Sequence, residues 1–176
     1  MKIALVVGGT GGLGAACAEE LRKDYTVIVA GRNKDKGDDI VSKITSAGGK
    51  AAFMAMDIKE EASIAALHKT VLAKYGRLDL AVNAAGVLPP IMKMADTTKD
   101  AYDNTMAINV TGVYLCMHEQ IRAMLRNPDK AGGSIVNFSS IYWLSGCKWG
   151  AIYCTSIPHM PLRWSHCVAR DRKTIY

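Results

Sequence analysis

A run of apolar residues, Ile3 to Val7, passes directly into GGTGGLG, Gly8 to Gly14, and from there into a helical pattern beginning near Leu13. No other feature narrows the fold as much. Glycines in such a loop let the backbone turn tightly and approach a bound group closely. The helix start that follows presents unpaired N–H groups and the positive end of its dipole. A strand, a glycine loop and a helix in this order open a βαβ unit and form a binding place for the pyrophosphate of a dinucleotide.

Later runs repeat the alternation: TVIVA from Thr26, AAFMAM from Ala51, LDLAVN from Leu78 and SIVNFS from Ser134 read as further strands. Between them Ile64, Leu67, Val71 and Tyr75 recur at helical spacing behind the acidic start KEE, which suits the positive end of a helix dipole. A second amphipathic segment spans about Tyr102 to Leu125 and stops at NPDKAGG, where Pro128 and two glycines cannot continue a helix. Strands alternating with helices predict an α/β fold, a Rossmann-type doubly wound parallel sheet. Residues 1–156 make one domain, which a chain of 176 residues with 49% apolar content can support. Beyond Ser156, Pro158 and Pro161 fall where the next helix should propagate, and residues 157–176 read as an irregular tail.

Charge and cysteine usage exclude several classes. The formal charge is +6, but Arg163, Arg170, Arg172 and Lys173 sit in the tail against Asp171, so the body is only mildly basic. Lysines and arginines are scattered, with two phenylalanines in the whole chain, which argues against nucleic acid as a partner. MKIALVV is too short an apolar run for a membrane span or a signal core. Cys17, Cys116, Cys147, Cys154 and Cys167 have neither metal-ligand spacing nor the density of a disulfide scaffold. They read as thiols in a reducing compartment, with the cytoplasm as the expectation and no metal site.

Four motifs in order resemble the classical short-chain dehydrogenases and reductases. Gly8, Gly12 and Gly14, with Leu13 between the last two, match that family's Gly-x-x-x-Gly-x-Gly. Gly8, Gly11 and Gly14 equally fit the Gly-x-x-Gly-x-x-Gly of its extended branch, so the loop does not choose between branches. NAAG, Asn83 to Gly86, matches the classical Asn-Asn-Ala-Gly with one substitution, and Asn109 in INVTG falls at the family's catalytic asparagine. Asp57 in MDI matches an aspartate used near the adenine ring. The resemblance implies cofactor contacts from Gly8, Gly12, Leu13, Gly14, Asp57, Asn83 and Gly86. At the end of the second strand the chain reads AGRN: Gly31 stands where NAD-preferring relatives carry an acid, and Arg32 can pair with a 2′-phosphate. NADP(H) is therefore the expected cofactor, with NAD as the alternative.

The same resemblance implies a catalytic serine, a tyrosine thirteen residues later and a lysine four beyond that. Ser140 and Tyr153 have the first interval, whereas the adjacent Ser139 does not. A free tyrosine, with a pKa of about 10, is a weak acid at neutral pH and needs a nearby cation to serve a developing alkoxide. Position 157 is isoleucine, and Lys148, five residues before the tyrosine, is badly placed to substitute. Loss of acid–base assistance costs about 10²- to 10⁴-fold in rate, so the expectation is a weak or inactive oxidoreductase on a ketone or secondary alcohol. A non-catalytic NADP(H)-binding or regulatory fragment is the alternative. Relatives continue through a longer helix and two more strands and often form homo-oligomers, so the sheet is expected to be incomplete at its C-terminal end. A shift of reading frame near Ser156 would account for the break, because offset readings of HMP, RWS and HC are apolar and alanine-rich. Trp143 and Trp149 read as loop packing.

Overall fold

The computed structural model describes residues 1–128 and 132–157. The tail beyond Ile157, with Cys167, lies outside them, and so does most of the stretch assigned to a frame shift. The first strand, β1 (Ile3–Val7), is buried at every position, so both its faces are covered. Ile3, Leu5 and Val7 face one hydrophobic cluster and Val6 the other, as the two-residue period of a strand requires. Strand β2 (Thr26–Gly31) is likewise a near-continuous buried apolar run, and β3 (Lys50–Ala55), β4 (Leu80–Asn83) and β5 (Ser134–Asn137) complete the sheet. Every pairing is parallel and the order is β3-β2-β1-β4-β5. The chain works outward from β1 in one direction and then crosses to β4 on its other side. That reversal makes a crevice at the carboxyl ends of β1 and β4, where open α/β sheets bind ligands.

Helices cover both faces. On one side α1 (Gly12–Leu21) and α2 (Lys34–Ser46) pack through Ala18, Ile40 and Ile44 onto Val6, Val27 and Val29. On the other, α3 (Glu61–Tyr75) buries Ile64, Leu67 and Val71, the stripe expected from the sequence, against the same cluster as Cys116 and Met124. Helix α2 carries a short apolar stripe of its own. Ile40 and Ile44 face the sheet at helical spacing, and beside them buried Gly37 allows a close approach, since a Cβ there would lie 2.1 Å from the Phe53 ring.

The segment expected to be helical from about Tyr102 runs instead from Lys99 to Met124. It comprises α4 (Lys99–Met106), a wide π turn (Ala107–Gly112) and α5 (Val113–Met124), and Thr98 Oγ1 caps its start by accepting from the Ala101 N–H at 3.2 Å. The π turn is inserted where Gly112 presses on Ile58: a Cβ there would lie 2.6 Å from the Ile58 carbonyl oxygen. Two short helices, α6 (Tyr142–Ser145) and α7 (Ala151–Ser156), follow β5. Among the described residues β5 carries no strand on its outer side, and Val136 and Phe138 are partly exposed there.

One core residue makes the domain sensitive to acid. His68 is 2% exposed. Its Nδ1 lies 2.8 Å from the Ile64 carbonyl, while Nε2 has no partner among the described residues. Burial pushes the imidazole below its ordinary pKa, only partly opposed by the Ile64 hydrogen bond and the charge of Glu119. The folded state thus keeps His68 neutral where the unfolded chain already takes up a proton. Its contribution is flat above about pH 6.5 and is lost as pH falls from there toward the lowered folded value. His68→Leu is expected to flatten this limb in urea unfolding measured from neutral to mildly acidic pH. An unchanged slope would assign the acid sensitivity elsewhere. Cys116, in the same core, is pushed up to about 12 by burial and is inert as a thiol at neutral pH.

Candidate active site

The loop after β1 is shaped first by its neighbours. Gly8 has φ +80, and a Cβ there would sit 2.6 Å from the backbone nitrogen of Ala85. At Gly14 a Cβ would lie 2.3 Å from the Gly8 carbonyl oxygen. The chain's own packing therefore demands both glycines, because the loops after β1 and β4 touch and α1 rests on the first of them. Gly11 and Gly12 differ: a Cβ at either would meet nothing within 4 Å, and Gly12 holds φ +54. Open space beside bare backbone, at the start of a ten-residue helix with no acid in its first turn, is where an anion fits.

The N–H groups of Gly8 and Gly9 both donate to the Ala30 carbonyl, at 2.9 and 3.2 Å, tying the loop to the end of β2. There a Cβ on Gly31 would meet Thr10 Cγ2 at 2.7 Å. Thr10 thus occupies the space that an acidic side chain at position 31 would need.

A cleft of about 660 Å³ opens over the crevice between these loops. Of the positions expected from the sequence, Gly8, Arg32, Asp57 and Gly86 line it, together with Thr10, Gly11 and Lys36. The Asp57 carboxylate accepts from the Lys59 N–H at 3.0 Å, which holds it at the rim. Arg32 and Lys36 are exposed, and among the described residues neither is paired with a carboxylate. Gly12, Leu13 and Gly14 stand at the start of α1 outside the lining, with the Leu13 side chain 66% exposed.

Asn83 and Asn109 are placed behind the cleft. Asn83 is buried and exchanges hydrogen bonds with Gln120, Nδ2 donating at 3.0 Å and Oδ1 accepting at 2.7 Å, and it also donates to Asn137 at 2.8 Å. Asn109, on the π turn, clamps the loop after NAAG: its Oδ1 accepts from the Val87 N–H at 2.9 Å and its Nδ2 donates to the Val87 carbonyl at 3.0 Å. The same Nδ2 donates to Ser156 Oγ at 2.9 Å, and Ser156 donates to the Tyr153 carbonyl at 2.9 Å. The helix bearing Tyr153 is thereby fastened to the cleft wall through Asn109 and Ser156.

Ser140 lies just past the carboxyl end of β5, and its Oγ accepts from the Tyr142 N–H at 3.4 Å. Tyr153, on α7, is half-buried, with the Tyr142 ring edge-on to it at a centroid distance of 6.3 Å. No hydrogen bond joins Ser140 to Tyr153 among the described residues. Both follow the last strand at the carboxyl edge of the sheet, on the side where the glycine loop leaves β1.

Ile157 has left the helix, with φ −78 and ψ 119, and is 7% exposed, while its N–H still donates to the Tyr153 carbonyl at 3.0 Å. Trp149, expected to pack, is 51% exposed at φ +62, with the Lys148 ammonium 4.6 Å over its ring and its carbonyl accepting from Met92 N–H. The Trp143 side chain lies outside the described residues. Among the described residues no cluster of three or more metal-ligating side chains occurs, and no helix is long and apolar enough to cross a membrane.

Comparison with known proteins agrees with this geometry. The short chain dehydrogenase family model matches residues 2–157. A 3beta-hydroxysteroid dehydrogenase of Mediterraneibacter gnavus is 34% identical over 156 residues, covering 88% of this chain and 55% of the relative. A cyclopentanol dehydrogenase of a Comamonas species is 37% identical over 153 residues, 86% of this chain and 60% of that one. Among solved structures, a metagenomic short-chain oxidoreductase in complex with NADP superimposes with a TM-score of 0.83 at 31% identity, over 89% of this chain and 70% of its own. The chain spans little more than half the length of the two curated relatives. With the glycine loop, NAAG and Asn109 held in one connected site and the family's model matched along nearly all of the described chain, the protein belongs to the short-chain dehydrogenase family.

Proposed function

We propose that the cleft takes NADP(H) and that the protein is of the oxidoreductase type that passes a hydride between this cofactor and a ketone or secondary alcohol. The observation that carries the cofactor reading is the end of β2. Thr10 fills the place of a ribose-binding acid at Gly31, while Arg32 lines the cleft without a carboxylate partner. A guanidinium offers a planar fork of donors that matches a phosphate, whereas ribose hydroxyls gain little from it. The open backbone at Gly11 and Gly12 fits the pyrophosphate. Arg32→Ala tests this reading: calorimetric titration of the unaltered chain is expected to give NADPH a dissociation constant about tenfold or more below that of NADH, and the variant about equal values. Equal affinities in the unaltered chain would overturn it.

Bound there, the nicotinamide supplies or accepts the hydride. In this reading the Tyr153 hydroxyl donates a proton to the substrate oxygen during reduction and takes it back during oxidation. The Ser140 hydroxyl donates a hydrogen bond that fixes the direction of the same oxygen. Asn109 and Ser156 hold the cleft wall and the tyrosine helix in register. The named relatives act on ring alcohols, a steroid and cyclopentanol, and a cyclic secondary alcohol or its ketone is the substrate class we infer.

Ile157 supplies no cation one turn from Tyr153, which favours a second reading, NADP(H) binding with little or no turnover. Single-turnover mixing of the NADPH complex with cyclopentanone separates the two: a slow decay of NADPH absorbance supports hydride transfer, and none supports binding alone. The cytoplasm, and assembly with further copies of the chain, belong to the same proposal. The thiols at Cys17, Cys116, Cys147 and Cys154 are free, in keeping with a reducing compartment.

A further inference from the structure

The first turn of α2 carries two lysines with different surroundings. The Lys34 ammonium is bound by the Asp38 carboxylate one turn along the helix. The corresponding position for Lys36 is Ile40, which is buried in the core and can offer no charge. Lys36 instead lines the cleft with Arg32, and among the described residues no carboxylate pairs with either. Asp57 is the acid in the cleft lining, and one of its oxygens accepts from the Lys59 N–H. A lysine in a helix's first turn also opposes the helix dipole, so its place costs α2 some stability. The Lys36 N–H is occupied by the Asn33 side-chain oxygen at 2.9 Å, leaving the ammonium as its free donor. Two like charges brought to one cleft wall, one of them at a helix end that disfavours it, are stabilised by an anion of more than one charge between them.

We propose that Lys36 is a second determinant of cofactor choice, its ammonium pairing with the 2′-phosphate of NADP(H) opposite Arg32. This rests on the NADP(H) reading above and adds a residue to it. The dianionic phosphate then meets a planar fork from Arg32 and a compact point charge from Lys36, while ribose hydroxyls have no use for the second cation.

The test is titration of the full chain with NADPH and with NADH for the unaltered protein, Lys36→Gln, Lys36→Arg and Lys34→Gln, with thermal unfolding of each. Lys36→Gln is expected to weaken NADPH about fivefold to tenfold and NADH by less than about twofold, without lowering the unfolding midpoint. Lys36→Arg is expected to keep the preference, and Lys34→Gln to change neither affinity. An unaltered chain that prefers NADPH, joined to a Lys36→Gln variant with the same preference, would overturn the role of Lys36 and leave the cofactor reading standing. An equal loss toward both cofactors would also overturn it, by showing that Lys36 acts through the fold of α2. An unaltered chain with no preference would overturn the cofactor reading itself and this inference with it.

Discussion

Gly8→Ala is expected to lower the unfolding midpoint by about 5–15 °C, while Gly11→Ala, three residues along the same loop, shifts it by a few degrees at most. At Gly8 the backbone holds φ +80, a region that costs a residue with a Cβ about 1–2 kcal/mol. The added methyl would also lie 2.6 Å from Ala85 N and 2.7 Å from Ala85 Cα, and backbone cannot rotate away as a side chain can. Overpacking of that kind costs a further 1–3 kcal/mol or so. For a domain of this size each kcal/mol is worth about 2–4 °C.

Gly11 has φ −178, an extended conformation open to any residue, and nothing lies within 4 Å of its Cβ position. Its alanine therefore spares the fold but projects a methyl where the cofactor must approach, and the expected result is a loss of dinucleotide affinity of about tenfold or more. Thermal scans and NADPH titration of the two variants separate the roles. If Gly8→Ala unfolds at the unaltered temperature, the contact between the β1 and β4 loops is not structural. If Gly11→Ala binds normally, the cofactor lies elsewhere.

Ile157→Lys is expected to raise cyclopentanone reduction by about 10²-fold, the lower end of what a working acid–base group contributes. The position is right in one respect: Ile157 N–H still reaches the Tyr153 carbonyl at 3.0 Å, so residue 157 remains one turn from the tyrosine. It is unfavourable in another, since a 7% exposed site desolvates an ammonium unless its head reaches polar partners in the cleft. The variant should accordingly unfold at a lower temperature than the parent and gain back part of the difference on binding NADPH. Adding Tyr153→Phe should remove the increase. A folded, NADPH-binding Ile157→Lys chain with no faster turnover would show that the lack of a cation at position 157 does not limit the rate.

What the sequence reveals of this molecule follows from how local each contact is. The β1 strand and its glycine loop are legible because a strand buried on both faces is a continuous apolar run, and because neighbouring backbone leaves no room for a Cβ at Gly8 and Gly14. Helix α3 is legible from Ile64, Leu67 and Val71, all pointing one way. Helix α2 is only weakly legible, because Ile40 and Ile44 are a short stripe in an otherwise polar segment, and Lys36 escapes with it, since a lysine among exposed polar residues looks like ordinary solvated surface. The partners of Asn83 lie 37 and 54 residues away and those of Asn109 lie 22 and 47 away, distances over which no spacing rule connects two amides. Asn83 and Asn109 could be singled out from their motifs. That their side chains also brace the cleft wall could be learned only from where Gln120, Asn137 and Ser156 arrive.

Every residue lining the cleft falls between Val7 and Ile108, and Ser140 and Tyr153 come later in the chain. In the proposed reading, holding the cofactor and reacting with it are thus written in consecutive stretches, joined by the side chain of Asn109, which grips Val87 on one side and Ser156 on the other. On that reading, substitutions after the asparagine alter the chemistry while leaving the lining of the cleft intact. Retained affinity for a dinucleotide is for this reason a poor witness to turnover in such a chain, and loss of turnover leaves a binding module that can be put to other use.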